Sequence, residues 1–241
     1  MTLNIDECKL NCYNVITLGG TDMDTSKLTK ETLGKFFDHT LLKAFCSWEQ
    51  IKELCDEAVT YKTASVCVPS CFIKRIRETY GTDFTICTVV GFPLGYCNTE
   101  AKLTETKQAL LDGADEIDMV INITDVKNGD YQKVEDEIAL LKEACADKVL
   151  KVIIETCYLT EEEKIAMCKA VTNAKADYIK TSTGFGTAGA TMEDVLLMKA
   201  NIGPDVKIKA AGGIRTKEAM EQFLEAGCDR IGCSSTALLF E

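Results

Sequence analysis

The strongest constraint on this chain is a repeat of short apolar runs with strand character. They are FFDHT (36–40), ASVCV (64–68), FTICTVVG (84–91), EIDMVIN (116–122), LKVIIET (150–156), YIKTST (178–183), VKIKAAGG (206–213) and RIGCSS (230–235). Most are rich in Val and Ile, and all lack strict polar alternation, as expected of strands buried on both faces. Stretches with helical spacing lie between them. SWEQIKELCDEAVTY (47–61) opens on Ser47 with Gln50 three residues on, a capping-box pattern. TEAKLTETKQALLDGA (99–114) runs into Gly113, and TKEAMEQFLEAG (216–227) closes on a glycine. VEDEIALLKEAC and TEEEKIAMCKAVTNA carry acidic residues that suit a helix N-terminus.

Eight strands alternating with helices in 241 residues imply parallel strands with crossover connections, and this length favours a closed (β/α)8 TIM barrel over an open doubly wound sheet. Residues 1–25 fit no unit and are expected to form an N-terminal extension. Residues 26–241 are expected to form one catalytic domain, entered through a capping helix from Ser26 to Lys35.

The formal net charge of −11 argues against nucleic acid or anionic lipid as a partner. No apolar run approaches the roughly 18 residues of a membrane span, and no signal-peptide core stands at the N-terminus, so a cytoplasmic protein is expected. The 13 cysteines include Cys67 and Cys87 within apolar runs, where a reduced thiol acts as a small hydrophobe. With no Cys-x-x-Cys and a single histidine, His39, no metal is expected, and His39 reads as a structural residue.

Active sites of barrels lie at the C-terminal ends of the strands. Four charged residues within these strands are weighed as site candidates: Asp38 (first), Asp118 (fourth), Lys180 (sixth) and Lys209 (seventh). Strands six and seven are neighbours in a barrel, so the two lysines approach each other. A free lysine, with a pKa near 10.4, is neutral in only about 1 of 2,500 copies at pH 7. A second cation and burial both disfavour the charged form. The neutral amine can then attack a carbonyl and form a Schiff base, with Asp118 placed to carry protons. AAGGIR (210–215) ends strand seven, and GCSST (232–236) ends strand eight and opens a short helix. Glycine-bearing loops at these two places form the recurring phosphate site of barrels, so a phosphorylated small molecule is expected.

On these residues the chain resembles the deoxyribose-phosphate aldolase family of class I aldolases, over about residues 26–236. DHTLL (38–42), VCVPSCF (66–72), VVGFPLG (89–95), GADEIDMV (113–120), KVIIET (151–156), IKTSTGFG (179–186) and KAAGGIR (209–215) follow the family motifs in order. The resemblance implies reversible cleavage of 2-deoxy-D-ribose 5-phosphate to acetaldehyde and D-glyceraldehyde 3-phosphate, with no cofactor. By motif, Lys180 would form the Schiff base, Lys209 would tune it and help move protons, and Asp118 would be the acid/base partner. Gly184, Gly212, Gly213, Gly232, Ser234 and Ser235 would hold the phosphate. Asp38, Cys67 (its thiol toward the barrel mouth) and Thr181 are further site residues. The partners would be small phosphorylated sugars and aldehydes, and a homodimer is the working assembly.

Two positions depart from the motif. Phe185 stands where some members have a lysine, which shifts phosphate binding toward backbone donors. The end TALLFE lacks the tyrosine-bearing tail of some members. Two other readings remain at this stage: a phosphosugar isomerase or synthase on the same barrel, working without an imine, and a thiol-rich metal or redox protein.

Overall fold

The structure, a computed structural model, describes residue 25 and residues 29–234. Eight parallel strands close into a barrel in sequence order: β1 (Phe37–Thr40), β2 (Ser65–Val68), β3 (Ile86–Val90), β4 (Glu116–Val120), β5 (Val149–Ile153), β6 (Tyr178–Lys180), β7 (Lys207–Ala211) and β8 (Arg230–Cys233). The expected (β/α)8 barrel is the observed one. The alternation of each strand divides its residues between two environments. Val66, Ile117, Val152, Ile179, Ile208 and Ile231 face outward into the main apolar core. The intervening positions, among them Asp38, Asp118, Lys151 and Lys209, are buried polar residues of the interior.

Helices cover the barrel: α1 (Lys30–Gly34), α2 (Trp48–Tyr61), α3 (Ile73–Tyr80), α4 (Thr99–Asp112), α5 (Ile123–Lys127), α6 (Tyr131–Cys145), α7 (Glu161–Asn173), α8 (Met192–Asn201) and α9 (Lys217–Glu225). Ser47 and Gln50 make the expected capping box, as do Thr160 and Glu163 at the start of α7. Gly113 takes a left-handed backbone and ends α4.

Three local expectations change. Among the described residues the first helix begins at Lys30, not Ser26, because Thr29 caps it: its hydroxyl accepts from the Thr32 N–H, and the Thr32 hydroxyl accepts in return. Residues 26–28 lie outside the described residues, as do 1–24 and the helix expected after β8. α6 starts at Tyr131 after Asp130, so Glu135 and Asp136 fall beyond its first turn. β6 stops at Lys180 and β7 at Ala211 rather than running to 183 and 213. Gly184, Gly212 and Gly213 have φ of +85°, +84° and +78° and turn the chain out of the barrel wall. Thr25, assigned by its position to the extension, is buried and donates to Glu225 on α9 at 2.5 Å.

Candidate active site

Register brings the expected residues together. Lys180 pairs with Lys209 across β6 and β7, Asp118 with Lys151 across β4 and β5, and Asp38 with Ser65 and Gly232 on either side of β1. One carboxylate oxygen of Asp118, Oδ2, accepts from Lys180 Nζ at 2.6 Å and from Lys209 Nζ at 2.8 Å. The other, Oδ1, accepts from Lys151 Nζ at 2.9 Å and from the Cys87 thiol at 3.1 Å. Asp38 pairs with Lys209 and Arg230 and accepts from Ser65 at 2.8 Å. Glu116 takes Lys151 at 2.5 Å and Arg230 at 3.1 Å.

The result is a buried network of three carboxylates (Asp38, Glu116, Asp118) and four cations (Lys151, Lys180, Lys209, Arg230). With all seven ionised it holds one excess positive charge. Burial would push the Asp118 carboxyl up, but the ammonium groups of Lys151, Lys180 and Lys209 together hold it well below the usual carboxylate range. Asp38 is likewise held low, by Lys209, Lys151 and Arg230 against burial. Burial would lower Lys209, yet the carboxylates of Asp118 and Asp38 raise it. Lys151 is raised in the same way, chiefly by Asp118. Lys209 and Lys151 are thus fixed cations, and an arginine does not lose its proton. Lys180 is the one of the three lysines with any exposure, 3% against 0% for the other two.

Burial alone does not mark a lysine for chemistry. Lys102 is also fully buried, but on the helical side of the sheet, where it donates to Glu137 at 2.7 Å and to the Val120 carbonyl at 2.8 Å. One carboxylate matches one ammonium there, and the pair ties the end of β4 to α4 and α6.

The other expected site residues divide. Gly184 and Gly212 approach closely: a Cβ on Gly212 would lie 3.0 Å from the Cα of Gly189 and 3.5 Å from that of Gly184. The turn is pinned by the Ala190 N–H, which donates to the Ala211 and Gly212 carbonyls at 3.0 and 3.1 Å. A Cβ on Gly213 would meet nothing within 4 Å, so that position faces open space at the mouth. Gly232 sits within β8, not in a loop; a Cβ there would lie 3.0 Å from Ala211 Cβ and 3.4 Å from Lys209 Cε. Its lack of a side chain makes room for Lys209. Ser234 is exposed just past β8, and Ser235 lies outside the described residues. The Thr181 hydroxyl is committed to the wall, donating to the Ala211 carbonyl and accepting from its N–H.

Cys67 is fully buried beside Cys87, Val89, Leu42 and Phe92. Its sulfur, that of Cys87 and a carboxylate oxygen of Asp118 lie within 4.8 Å of one another. A metal ion there would have to compete with the three ammonium groups already on Asp118, and burial holds the Cys87 thiol well above its usual range, so the donor set does not suit a cation. The described cysteines are all free thiols. His39 is structural as expected: its Nε2 pairs with Glu57 at 2.6 Å. Phe185 is 55% exposed at the mouth, its ring edge-on to Phe92 with centroids 5.3 Å apart.

The model of the DeoC/LacD family of aldolases matches residues 28–234. The chain belongs to that family. It is 67% identical over 200 residues to a deoxyribose-phosphate aldolase of Clostridium botulinum (strain Alaska E43), covering 83% of this chain and 90% of the relative. It is 57% identical over 201 residues to one from Clostridioides difficile, with 83% and 92% covered. Among solved structures, a tetrameric deoxyribose phosphate aldolase from Aeropyrum pernix superimposes with a TM-score of 0.82 at 29% identity, covering 90% of this chain and 93% of that one. Membership in the DeoC/LacD family of aldolases replaces both the isomerase and the thiol-protein readings.

Sequence reasoning missed three members of the buried network: Lys151, Glu116 and Arg230. It also missed Glu155, which lies two residues past β5 with a left-handed backbone (φ 51°), is buried, and accepts from the hydroxyl of Thr183. Thr183 in turn accepts from the Phe185 N–H at 3.0 Å. Glu155 therefore holds the loop that follows Lys180. The charged residues could have been found by extending the period-two count down each strand, since Glu116 and Lys151 share the facing of Asp118.

Proposed function

We propose that this aldolase reversibly cleaves 2-deoxy-D-ribose 5-phosphate to acetaldehyde and D-glyceraldehyde 3-phosphate through a Schiff base on Lys180. The observation that carries the reading is the sharing of one Asp118 oxygen by Lys180 and Lys209, at 2.6 and 2.8 Å, in a network with one cation in excess. Lys180, once neutral, attacks the C1 aldehyde. The carbinolamine loses water and leaves a protonated imine. A base removes the C3 hydroxyl proton, the C2–C3 bond breaks, and its electron pair passes into the enamine as glyceraldehyde 3-phosphate departs. Protonation at C2 and hydrolysis release acetaldehyde and restore the amine.

In this reading Asp118 carries protons at C2 and C3, directly or through water. Lys209 keeps Asp118 ionised and supplies fixed positive charge near the developing negative charge. The backbone N–H groups of the turns at Gly184, Gly212 and Gly213 receive the phosphate, with Phe185 in place of a cationic side chain. Ser234 and Ser235 add hydroxyls. No metal or cofactor takes part, since the iminium is the electron sink. Residues 1–25 are an extension of the barrel domain, the assembly is a homodimer and the compartment is the cytoplasm. Among the described residues no helix is long and apolar enough to cross a membrane.

The test is direct: the purified protein with 2-deoxy-D-ribose 5-phosphate should yield both aldehydes in equal amounts, undiminished by EDTA. Absence of cleavage, or activity lost to EDTA and restored by a divalent ion, would refute the reading.

A further inference from the structure

One buried hydroxyl near Lys180 has no assigned task. The ladder of β6 runs one residue past Lys180: the Thr181 N–H donates to the Lys209 carbonyl at 3.1 Å, and the Thr181 carbonyl accepts from the Thr156 N–H at 2.9 Å. Side chains alternate along extended backbone. Tyr178 and Lys180 face the interior, Thr181 bonds sideways to Ala211, and Ser182 returns to the face of Lys180. Two residues of extended chain beyond the end of β6 would carry it about 7 Å nearer the mouth. There it meets the glycine turn, since a Cβ on Gly212 would lie 3.5 Å from the Ser182 Cβ.

In the run Thr181-Ser182-Thr183, both threonine hydroxyls are engaged, by Ala211 and by Glu155. Ser182 is 0% exposed, and its Oγ has no hydrogen-bond partner among the described residues. Folding does not normally strand a hydroxyl out of water without a partner. This one lies between the amine that binds C1 and the turns proposed to bind the phosphate on C5.

Resting on the aldolase reading above, we infer that Ser182 is a substrate-binding residue whose hydroxyl donates to an oxygen on the C3–C5 portion of the sugar phosphate, the part released as glyceraldehyde 3-phosphate. Acetaldehyde, which lacks that portion, makes no use of it. Ser182 would thus serve the acceptor half of the reaction and leave imine formation alone.

Ser182→Ala removes the hydroxyl and nothing else. Three measurements on the full chain test the inference: kcat/KM for cleavage of 2-deoxy-D-ribose 5-phosphate, the rate of covalent trapping with acetaldehyde and borohydride, and the thermal midpoint. One lost hydrogen bond should lower kcat/KM about tenfold, while trapping stays within about twofold of wild type. The thermal midpoint should hold or rise, because a hydroxyl with no partner contributes nothing to the folded state. Unchanged kcat/KM would overturn the inference. So would trapping that falls in step with cleavage, which would make Ser182 a support for Lys180, or a midpoint lowered by several degrees, which would make the hydroxyl structural. Wild-type protein that neither cleaves nor traps would overturn the aldolase reading and this inference with it, and that failure is distinguishable because it requires no variant.

Discussion

Replacing Asp118 with Asn separates two things this residue is proposed to do. Its carboxylate is the shared partner of Lys151, Lys180 and Lys209, at 2.9, 2.6 and 2.8 Å. At an effective dielectric near 20, unit charges 4 Å apart attract by about 4 kcal/mol, but most of that offsets the desolvation of the ions. The measurable loss on breaking a buried pair is about 3–5 kcal/mol. For a domain of this size 1 kcal/mol moves the thermal midpoint by roughly 2–4 °C, so Asp118→Asn should melt on the order of 10 °C lower and still fold. The network would pass from three carboxylates against four cations to two against four. The amide still leaves the Lys180 amine in place beside Lys209, so acetaldehyde trapping at pH 7 should persist. Cleavage needs proton transfer at C2 and C3, which an amide cannot perform, and should fall by about 10²–10⁴-fold. The assay is single-turnover trapping beside steady-state cleavage on the same preparation. Cleavage within a factor of two of wild type, or trapping that collapses with cleavage, would refute the division of roles.

Lys151→Met removes the ammonium that holds the second oxygen of Asp118 at 2.9 Å; trapping and cleavage should both slow as Asp118 loses its fixed position, and unchanged rates of both would count against a positioning role for Lys151. Gly213→Asp places a carboxylate in open space at the mouth, on a backbone with φ of +78°; KM for 2-deoxy-D-ribose 5-phosphate should rise far more than KM for free deoxyribose, and equal damage to both would make the turn structural. The network also sets a pH profile of stability. Asp118 and Asp38 are held below their ordinary 3.8, so their contribution is present above about pH 4 and is lost as pH falls through the folded values. Lys209 and Lys151 are held above their ordinary 10.5, so theirs is present below that pH and is lost as pH rises through the folded values. Thermal midpoints across pH should show a plateau between the two limits, and Lys209→Met should have a shallower acid limb because its carboxylates lose a depressing charge; an unaltered acid limb would contradict this.

The barrel was legible because each strand is a short apolar run set apart from amphipathic helices by recognisable caps, as at Ser47 and Gly113. Strand ends were less so. YIKTST and VKIKAAGG stay strand-like in composition past Lys180 and Ala211, and the turn is dictated by glycine φ angles that composition alone does not fix. The pairing of Lys180, Lys209 and Asp118 could be read because neighbouring strands bring in-facing positions of like register together. Glu116 and Arg230 went unread because they begin their strands and resemble polar residues at strand edges, and Lys151 because its in-facing partner Asp118 lies on the neighbouring strand. Glu155 and Ser182 carried no signal, since a carboxylate strut and an unpartnered hydroxyl are properties of packing.

The central claim is that Lys180 is the nucleophile. Wild-type protein incubated with acetaldehyde and reduced with borohydride should gain one ethyl group, a mass increase of about 28 Da, since reduction of the imine leaves an N-ethyl lysine. Peptide mapping should place it on Lys180, and Lys180→Ala should gain none at the site. An adduct on Lys209 or Lys151, or full-rate modification of the site in Lys180→Ala, would contradict the account.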